Sequence, residues 1–323
     1  MKILVLGAGV IGLTTALALV RRGDAMHRRH EVEIWAKEST PDTTSDVAAA
    51  FWLPYAAHPI EKVTRWAAES YTQFKGMKDI SGTGIKERRL VQYFREKLER
   101  PEWASVVEQY HEGDVPLPPG FNEAFSFTTY VTDMTLYMPY LMRCCANEGI
   151  QIKRKTVTSL ATIESPCDVV VNCTGLGARE LLNDCELYGA KGQVVRVDPQ
   201  RDKPDHIMLY IGDHSRFCMI VPRHNDVVLG GTYEETFTTT GVDQSEVERI
   251  LSDCQSMYPA LAGAEVIGSA SGLRPVRSTV RLECERLDGE KFVIHNYGHG
   301  GAGVTLSWGC AYEVLDLINN RSV

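Results

Sequence analysis

The chain has 323 residues, 44% of them hydrophobic and 24% charged, a globular composition that allows about two domains and excludes a disordered segment. A net charge of −8 argues against a dedicated nucleic-acid binder or a partner of anionic membranes, although a pocket can still be locally basic. Nine cysteines, with no C-x-x-C pair and no Cys/His zinc spacing, read as reduced, buried thiols without a metal centre.

Lys2 to Leu6 reads as a buried strand, Gly7-Ala8-Gly9-Val10-Ile11-Gly12 as a glycine turn, and Leu13-Thr14-Thr15-Ala16 as the opening of a helix. Each glycine has its own reason. Gly7 permits the tight turn, Gly9 lets the backbone approach a pyrophosphate, and Gly12 allows close packing of helix on strand. The helix N-terminus adds unpaired N–H groups and a positive dipole end. The run is long enough for a membrane span or a signal peptide, but Lys2 alone is a thin basic region and the glycines waste helix propensity. It is therefore read as the first βα unit of a dinucleotide-binding domain.

The basic stretch Arg21 to His30 reads as a solvated loop, and Glu31 to Ala36 as a second sheet strand with alternating apolar residues. An acidic residue about 20 positions beyond the glycines should hold the ribose hydroxyls; here Lys37-Glu38 follows, and Glu38 is the choice. Thr43, Thr44 and Ser45 precede the alanines of Asp46 to Ala50, where hydroxyls serve as a helix cap or as phosphate ligands. Residues 56–137 turn aromatic, charged and proline-rich, with a helical pattern over Ile60 to Lys75, as in a second, antiparallel domain inserted into the first. Met138 to Glu148 is an amphipathic helix, and Ile150 to Val157 a strand. Asp168 to Asn172, ending in Cys173-Thr174-Gly175, returns the chain to the nucleotide domain. Alternating runs at Gln193 to Val197, Phe217 to Val221 and Asp226 to Gly231 suggest the second domain's sheet, and Gln244 to Met257 a helix. Arg274 and Arg277 flank a Pro-Val pair, read as a proline turn. A strand (Lys291 to Asn296), the glycine loop Tyr297 to Gly303 and a helix (Val304 to Ile318) then offer a second helix N-terminus to a ligand.

With these segments in hand, the sequence resembles the D-amino-acid oxidase family along nearly its whole length. The most specific stretch is Val293 to Cys310 (VIHNYGHGGAGVTLSWGC), and GLRPVR at 272–277, DVAA at 46–49 with Trp52 and Pro54-Tyr55, and VNCTG at 171–175 follow the family order. The resemblance implies an α/β fold: a Rossmann-like FAD-binding domain over 1–53, 138–185 and 265–323, with an inserted, mostly antiparallel β substrate domain over 54–137 and 186–264. It implies FAD, with the turn Gly7, Ala8, Gly9, Val10, Ile11, Gly12 at the pyrophosphate and Lys37-Glu38 at the ribose. Thr43, Thr44 and Ser45 would hold the neighbouring phosphate and hydroxyls, Val157 the adenine through backbone groups, and Cys173, Thr174 and Gly175 the returning strand end. Ala49, Ala50, Gly300, Gly301, Gly303, Val304 and Thr305 would line the isoalloxazine. Arg274 would clamp the substrate carboxylate in a bidentate pair and the Gly301 carbonyl would accept from the amine, so these two carry catalysis. The resemblance implies that hydride leaves the substrate Cα and that the products are a 2-oxo acid, ammonia and hydrogen peroxide. Arg277, His295 and His299 read as structural, and Tyr55 as a pocket or packing residue.

The chain departs from the family at Met219, where relatives place a tyrosine on the carboxylate. Either Arg274 acts with less help, or another hydroxyl, Tyr210 or Tyr233, substitutes. A second tyrosine of many relatives appears as Ser215, and the positions that carry extra arginines in D-aspartate oxidases appear as Gly212 and Tyr233, with Arg216 and Arg223 nearby but unaligned. Neutral D-amino acids are thus expected, with acidic ones as the alternative. The expected partners are a D-amino acid and dioxygen, without nucleic acid or membrane, in a homodimer if the family habit holds. The ending Arg321-Ser322-Val323 is not a peroxisomal tripeptide, which suggests the cytoplasm. A nicotinamide dehydrogenase and a non-catalytic flavin-binding module are the rival readings.

Overall fold

The computed structural model describes residues 1–23, 28–113, 115–198, 203–212, 217–235, 238–288 and 291–320. Ser215, Arg216 and the three C-terminal residues named above lie outside them.

The opening unit is β1 (Lys2–Leu6), α1 (Val10–Arg22) and β2 (Glu31–Ala36). After a 3₁₀ turn at Thr44–Val47 come α2 (Ile60–Met77), β3 (Ile85–Phe94), β4 (His111–Glu112) and β5 (Glu123–Thr132). The chain returns through α3 (Met134–Asn147), β6 (Gln151–Arg154), β7 (Val169–Asn172) and α4 (Gly177–Leu182). It then forms β8 (Tyr188–Asp198), β9 (Ile207–Ile211), β10 (Phe217–Pro222), β11 (Val227–Gly230) and α5 (Gln244–Met257). The last elements are β12 (Glu265–Asp288), β13 (Lys291–His299) and α6 (Gly303–Asn319).

All the strands join one sheet, ordered β4-β5-β3-β9-β10-β11-β8-β12-β13-β7-β1-β2-β6. From β13 to β6 the pairings are parallel. This is the half in which continuous apolar runs, such as 169–171 in β7, are buried on both faces, as parallel strands require. The other half is antiparallel except for the β3–β9 pair. The two halves meet at β12, whose 24 residues pair with β8 near one end and with β13 near the other.

Helix α1 is buried from Gly12 to Val20. A helix with so little polar surface can only be a core helix, here packed against α6 and α3. Helix α6 crosses α2 closely because Gly309 has no side chain: a Cβ there would lie 2.1 Å from the Trp66 carbonyl oxygen. The Gly309 N–H donates instead to Ser70 Oγ at 2.9 Å. Beneath α2, Trp52 meets Tyr71 and Trp103 edge-on, with ring centroids 5.0 and 5.9 Å apart, a preferred aromatic geometry. All cysteines except Cys185 and Cys284 are buried free thiols. No helix among the described residues is long and apolar enough to cross a membrane.

Two expectations are corrected. The stretch around Pro275 is no turn: Arg274 and Pro275 sit inside β12, opposite Ala190 and Gly189 of β8. The Ile150 strand ends at Arg154, so Val157 lies in the loop beyond it. As expected, residues 56–137 combine a helix with strand and loop, and β3 and β5 form its long antiparallel pair. The hydroxyl-rich turn does cap a helical turn, though a 3₁₀ one: Thr43 is the N-cap of Thr44–Val47 and shares a capping box with Asp46.

Candidate active site

The glycine turn after β1 is built from close approaches. Gly7, at φ +105°, donates its N–H to the Trp35 carbonyl at 2.8 Å, and a Cβ there would come within 2.4 Å of the Cys173 oxygen. A Cβ on Gly12 would lie 2.0 Å from the Gly7 oxygen, so bare backbone lets α1 sit against the turn. Gly9 differs. Its Cβ would meet Ser45 Oγ at 3.2 Å and no other protein atom within 4 Å. Space is therefore kept open in front of the α1 N-terminus, where the first N–H groups lack partners along the helix. One of them is already held, since Val10 N–H donates to Ser45 Oγ at 3.0 Å.

A cavity of about 680 Å³ runs from this turn to Arg274. It is lined by every cofactor and substrate position named from the sequence except Gly12, which lies behind the turn. Several hydroxyls have fixed duties. Thr43 donates through both its N–H (2.9 Å) and its Oγ1 (2.6 Å) to Asp46 Oδ2. Thr305 Oγ1 exchanges hydrogen bonds of 3.1 Å with the Leu53 backbone, which positions the Leu53–Tyr55 wall. Thr174 is locked to Asn172 Oδ1 through its N–H (3.2 Å) and Oγ1 (2.7 Å), and the Asn172 amide reaches His295 Nδ1 at 3.4 Å. At the β2 end, exposed Glu38 pairs with Lys37 at 3.6 Å, and the Lys155 ammonium stands 3.6 Å from the Trp35 ring centroid. Trp35 and Lys155 line this end and were not singled out as ligand-binding residues from sequence.

Arg274 closes the other end. Its Nη1 donates to the Thr232 carbonyl at 3.0 Å, and its Cζ lies 5.7 Å from the Tyr233 ring centroid. Among the described residues no carboxylate forms an ion pair with it, so burial pulls its pKa down while the phenols of Tyr55 and Tyr233 work against that shift. A half-buried, largely desolvated guanidinium without a protein anion is well placed for an anionic ligand to complete it. Tyr55 packs at 6.0 Å from Phe217, and its Cδ1 is 3.1 Å from where a Gly301 Cβ would be; burial raises its phenol pKa. Met219 is buried on β10, its Cε occupying the space that a Gly230 side chain would need, 2.3 Å from that Cβ. Of the two hydroxyls considered as substitutes, Tyr210 meets Phe121 edge-on at 5.0 Å and does not line the cavity. Tyr233 stands beside Arg274, also outside the lining, its pKa pushed up to about 12 by burial.

The remaining ionisable groups are committed elsewhere. Arg277 pairs with Asp184 at 3.0 Å. Arg223 is buried with Asp226 at 2.7 Å and Asp133 at 3.4 Å. His299 lines the cavity but faces Asn296 Oδ1 at 3.1 Å, and burial holds its pKa at about 3, so the ring is neutral. His295 bridges Asn172 and Glu285, with its pKa lowered first by burial and then by Arg281.

Gly192 lines the cavity under Arg274 and was not singled out from sequence. A glycine inside a β run, flanked by Lys191 and Gln193, is the available signal, because it marks a close approach.

The chain matches the model of a family described as FAD dependent oxidoreductase over residues 2–317. It is 39% identical over 319 residues to a D-amino-acid oxidase of Rubrobacter xylanophilus, covering 98% of this chain and 95% of that protein. It is 34% identical over 331 residues to the human D-aspartate oxidase, covering 98% and 94%. Among solved structures, the glycine oxidase of Geobacillus kaustophilus superposes with a TM-score of 0.79 at 19% identity, covering 99% and 95%, a likeness of fold.

Proposed function

The chain belongs to the FAD dependent oxidoreductase family, and from that premise we propose that it is a D-amino-acid oxidase acting on neutral substrates. The observation that carries the reading is Arg274: a half-buried cation in the cavity wall, fixed by one neutral carbonyl and lacking a protein carboxylate among the described residues. A planar guanidinium so placed suits a carboxylate in a bidentate pair. The Gly301 backbone lies beside Tyr55 and the Arg274 stem, where its carbonyl would accept from the substrate amine.

The bare turn at Gly9 and the N-terminus of α1 suit a pyrophosphate, with Ser45 and the Thr174 backbone beside it. Glu38 would take the ribose hydroxyls, the segment at Val157 the adenine, and Ala49, Ala50 and Gly300 to Thr305 the flavin ring. When bound, FAD supplies the two-electron acceptor for the hydride leaving the substrate Cα, and dioxygen takes the electrons on. The protein's share is geometric: Arg274 and the Gly301 carbonyl fix two substituents of the Cα, which sets the direction of its C–H bond. Orientation of this kind accounts for several kcal/mol of barrier lowering. Neutral His299 is occupied by Asn296, so no cavity histidine is arranged as a base.

Tyr55, Phe217 and Met219 surround the substrate side chain's place, while the other charged lining residues, Lys37, Glu38, Lys155 and Glu180, come from the β2, β6 and α4 side. With no second described cation beside Arg274, neutral side chains fit better than acidic ones. The test is anaerobic addition of D-alanine to the flavin-loaded protein. Bleaching of the flavin band, followed in air by peroxide and pyruvate, supports the reading. An unbleached flavin would overturn it, and a higher kcat/KM for D-aspartate than for D-alanine would move the substrate to the acidic class.

A further inference from the structure

We propose that Gly192 is a positioning residue for the substrate carboxylate: its missing side chain is the seat on which the Arg274 guanidinium rests. The inference depends on the reading of Arg274 as the carboxylate anchor.

In the β8–β12 ladder Arg274 faces Ala190, and Gly192 faces Gly272. Residues directly opposite in an antiparallel pair point to the same face, and their diagonal neighbours two positions away lie within reach of long side chains. Arg274 uses that diagonal. A Cβ built on Gly192 would stand 2.2 Å from Arg274 Nη1, 2.3 Å from Cζ and 2.3 Å from Nη2, below any real contact distance. The guanidinium therefore occupies the volume that any other residue at 192 would fill.

Its rotation in that seat is fixed from the side. Nη1 donates to the Thr232 carbonyl at 3.0 Å, and Thr232 Oγ1 accepts from the Gln193 N–H at 3.0 Å. The Gln193 side chain clasps the Asp243 backbone through both its amide groups at 2.8 Å, tying the loop that carries Thr232 to β8. Residues 192 and 193 thus set both the floor beneath the fork and the acceptor at its edge.

The clash partner decides what substitution does. At Gly7 and Gly12 the obstructing atoms are backbone, which cannot step aside, but at Gly192 they are the far end of a flexible side chain. An alanine here should leave the sheet intact and move the guanidinium alone.

The experiment compares the flavin-loaded wild type, Gly192→Ala, Arg274→Ala and the double variant, with Gly268→Ala as the β12 control, since a Cβ there meets nothing within 4 Å. Losing one of two charge-assisted hydrogen bonds to the carboxylate should raise the KM for D-alanine about 10- to 100-fold in Gly192→Ala. Flavin content, melting temperature and the rate of dioxygen consumption by the reduced protein should stay at wild-type values, and Gly268→Ala should match wild type throughout. In the Arg274→Ala background, Gly192→Ala should add nothing, because the cycle isolates the pair. A Gly192→Ala KM within twofold of wild type overturns the proposal. So does an equal KM loss in the Arg274→Ala background, or an unfolded Gly192→Ala, either of which would make Gly192 a strand-packing residue. If Arg274→Ala itself leaves the KM unchanged, the anchor reading falls and this inference with it; if only Gly192→Ala is silent, the anchor stands and the seat alone is refuted.

Discussion

Replacing Arg274 with methionine should make the protein harder to melt and nearly useless as a catalyst. The substitution keeps an unbranched stem over Gly192 and removes a guanidinium that has no protein carboxylate and a single neutral acceptor, the Thr232 carbonyl. Relieving this half-buried, unpaired charge returns at most about 1–4 kcal/mol, the range for apolar replacement of buried ion pairs. Leaving the Thr232 carbonyl without its donor takes back about 1 kcal/mol or somewhat more. The net is a gain of about 1–2 kcal/mol, or a melting temperature raised by about 1.5–3 °C for a chain of this size. Against the substrate the change runs the other way. Two charge-assisted hydrogen bonds at about 1.5–3 kcal/mol each correspond to a loss of about 10²–10⁴ in kcat/KM. Differential scanning fluorimetry of the flavin-loaded protein and peroxide-coupled kinetics with D-alanine measure the two effects side by side. A melting temperature that drops while kcat/KM holds would show Arg274 to be a structural brace, and the argument from its missing anion would be wrong.

The turn glycines should separate by phenotype. Gly9→Ala should fold normally yet lose flavin on gel filtration, because open cavity surrounds its Cβ, whereas Gly12→Ala should lose both flavin and about 1–3 kcal/mol of stability, because the Gly7 oxygen stands 2.0 Å away; equal melting temperatures for the two would refute this. His299 has a folded-state pKa of about 3 against about 6.5 unfolded, so its contribution is complete above pH 6.5 and is lost as the pH falls towards 3. The slope of unfolding free energy between pH 4 and 6 should therefore shrink by up to about 1.4 kcal/mol per pH unit in His299→Gln, measured by urea titrations. Gly76→Ala, in the last turn of α2 with nothing within 4 Å of its Cβ, should stabilise the protein by about 0.5–1 kcal/mol, read from the denaturation midpoint.

Local chemistry made much of this molecule legible before any coordinates. Three glycines after a buried strand fixed the turn and the helix behind it, because each restriction is short-range: one needs a positive φ, one an open face, one a bare contact with its neighbour. The α5 boundaries, Gln244 and Met257, were equally readable, since Asp243 caps the helix through Ser245 N–H at 2.9 Å within its own turn. Strands β3 and β5 were harder, because their long alternating partners lie about 40 residues apart and neither is convincing alone.

What only the tertiary structure decided is where distant segments meet. Arg-Pro-Val-Arg looked like a turn because proline removes a donor, yet the ladder between β8 and β12 holds it extended. That same ladder sets Gly192 beneath Arg274, residues 82 positions apart whose relation no local pattern encodes. Composition and spacing determined which residues were equipped to hold a nucleotide and a carboxylate. Register determined which of them share a cavity, because a slip by a single residue would turn the arginine to the other face of the sheet.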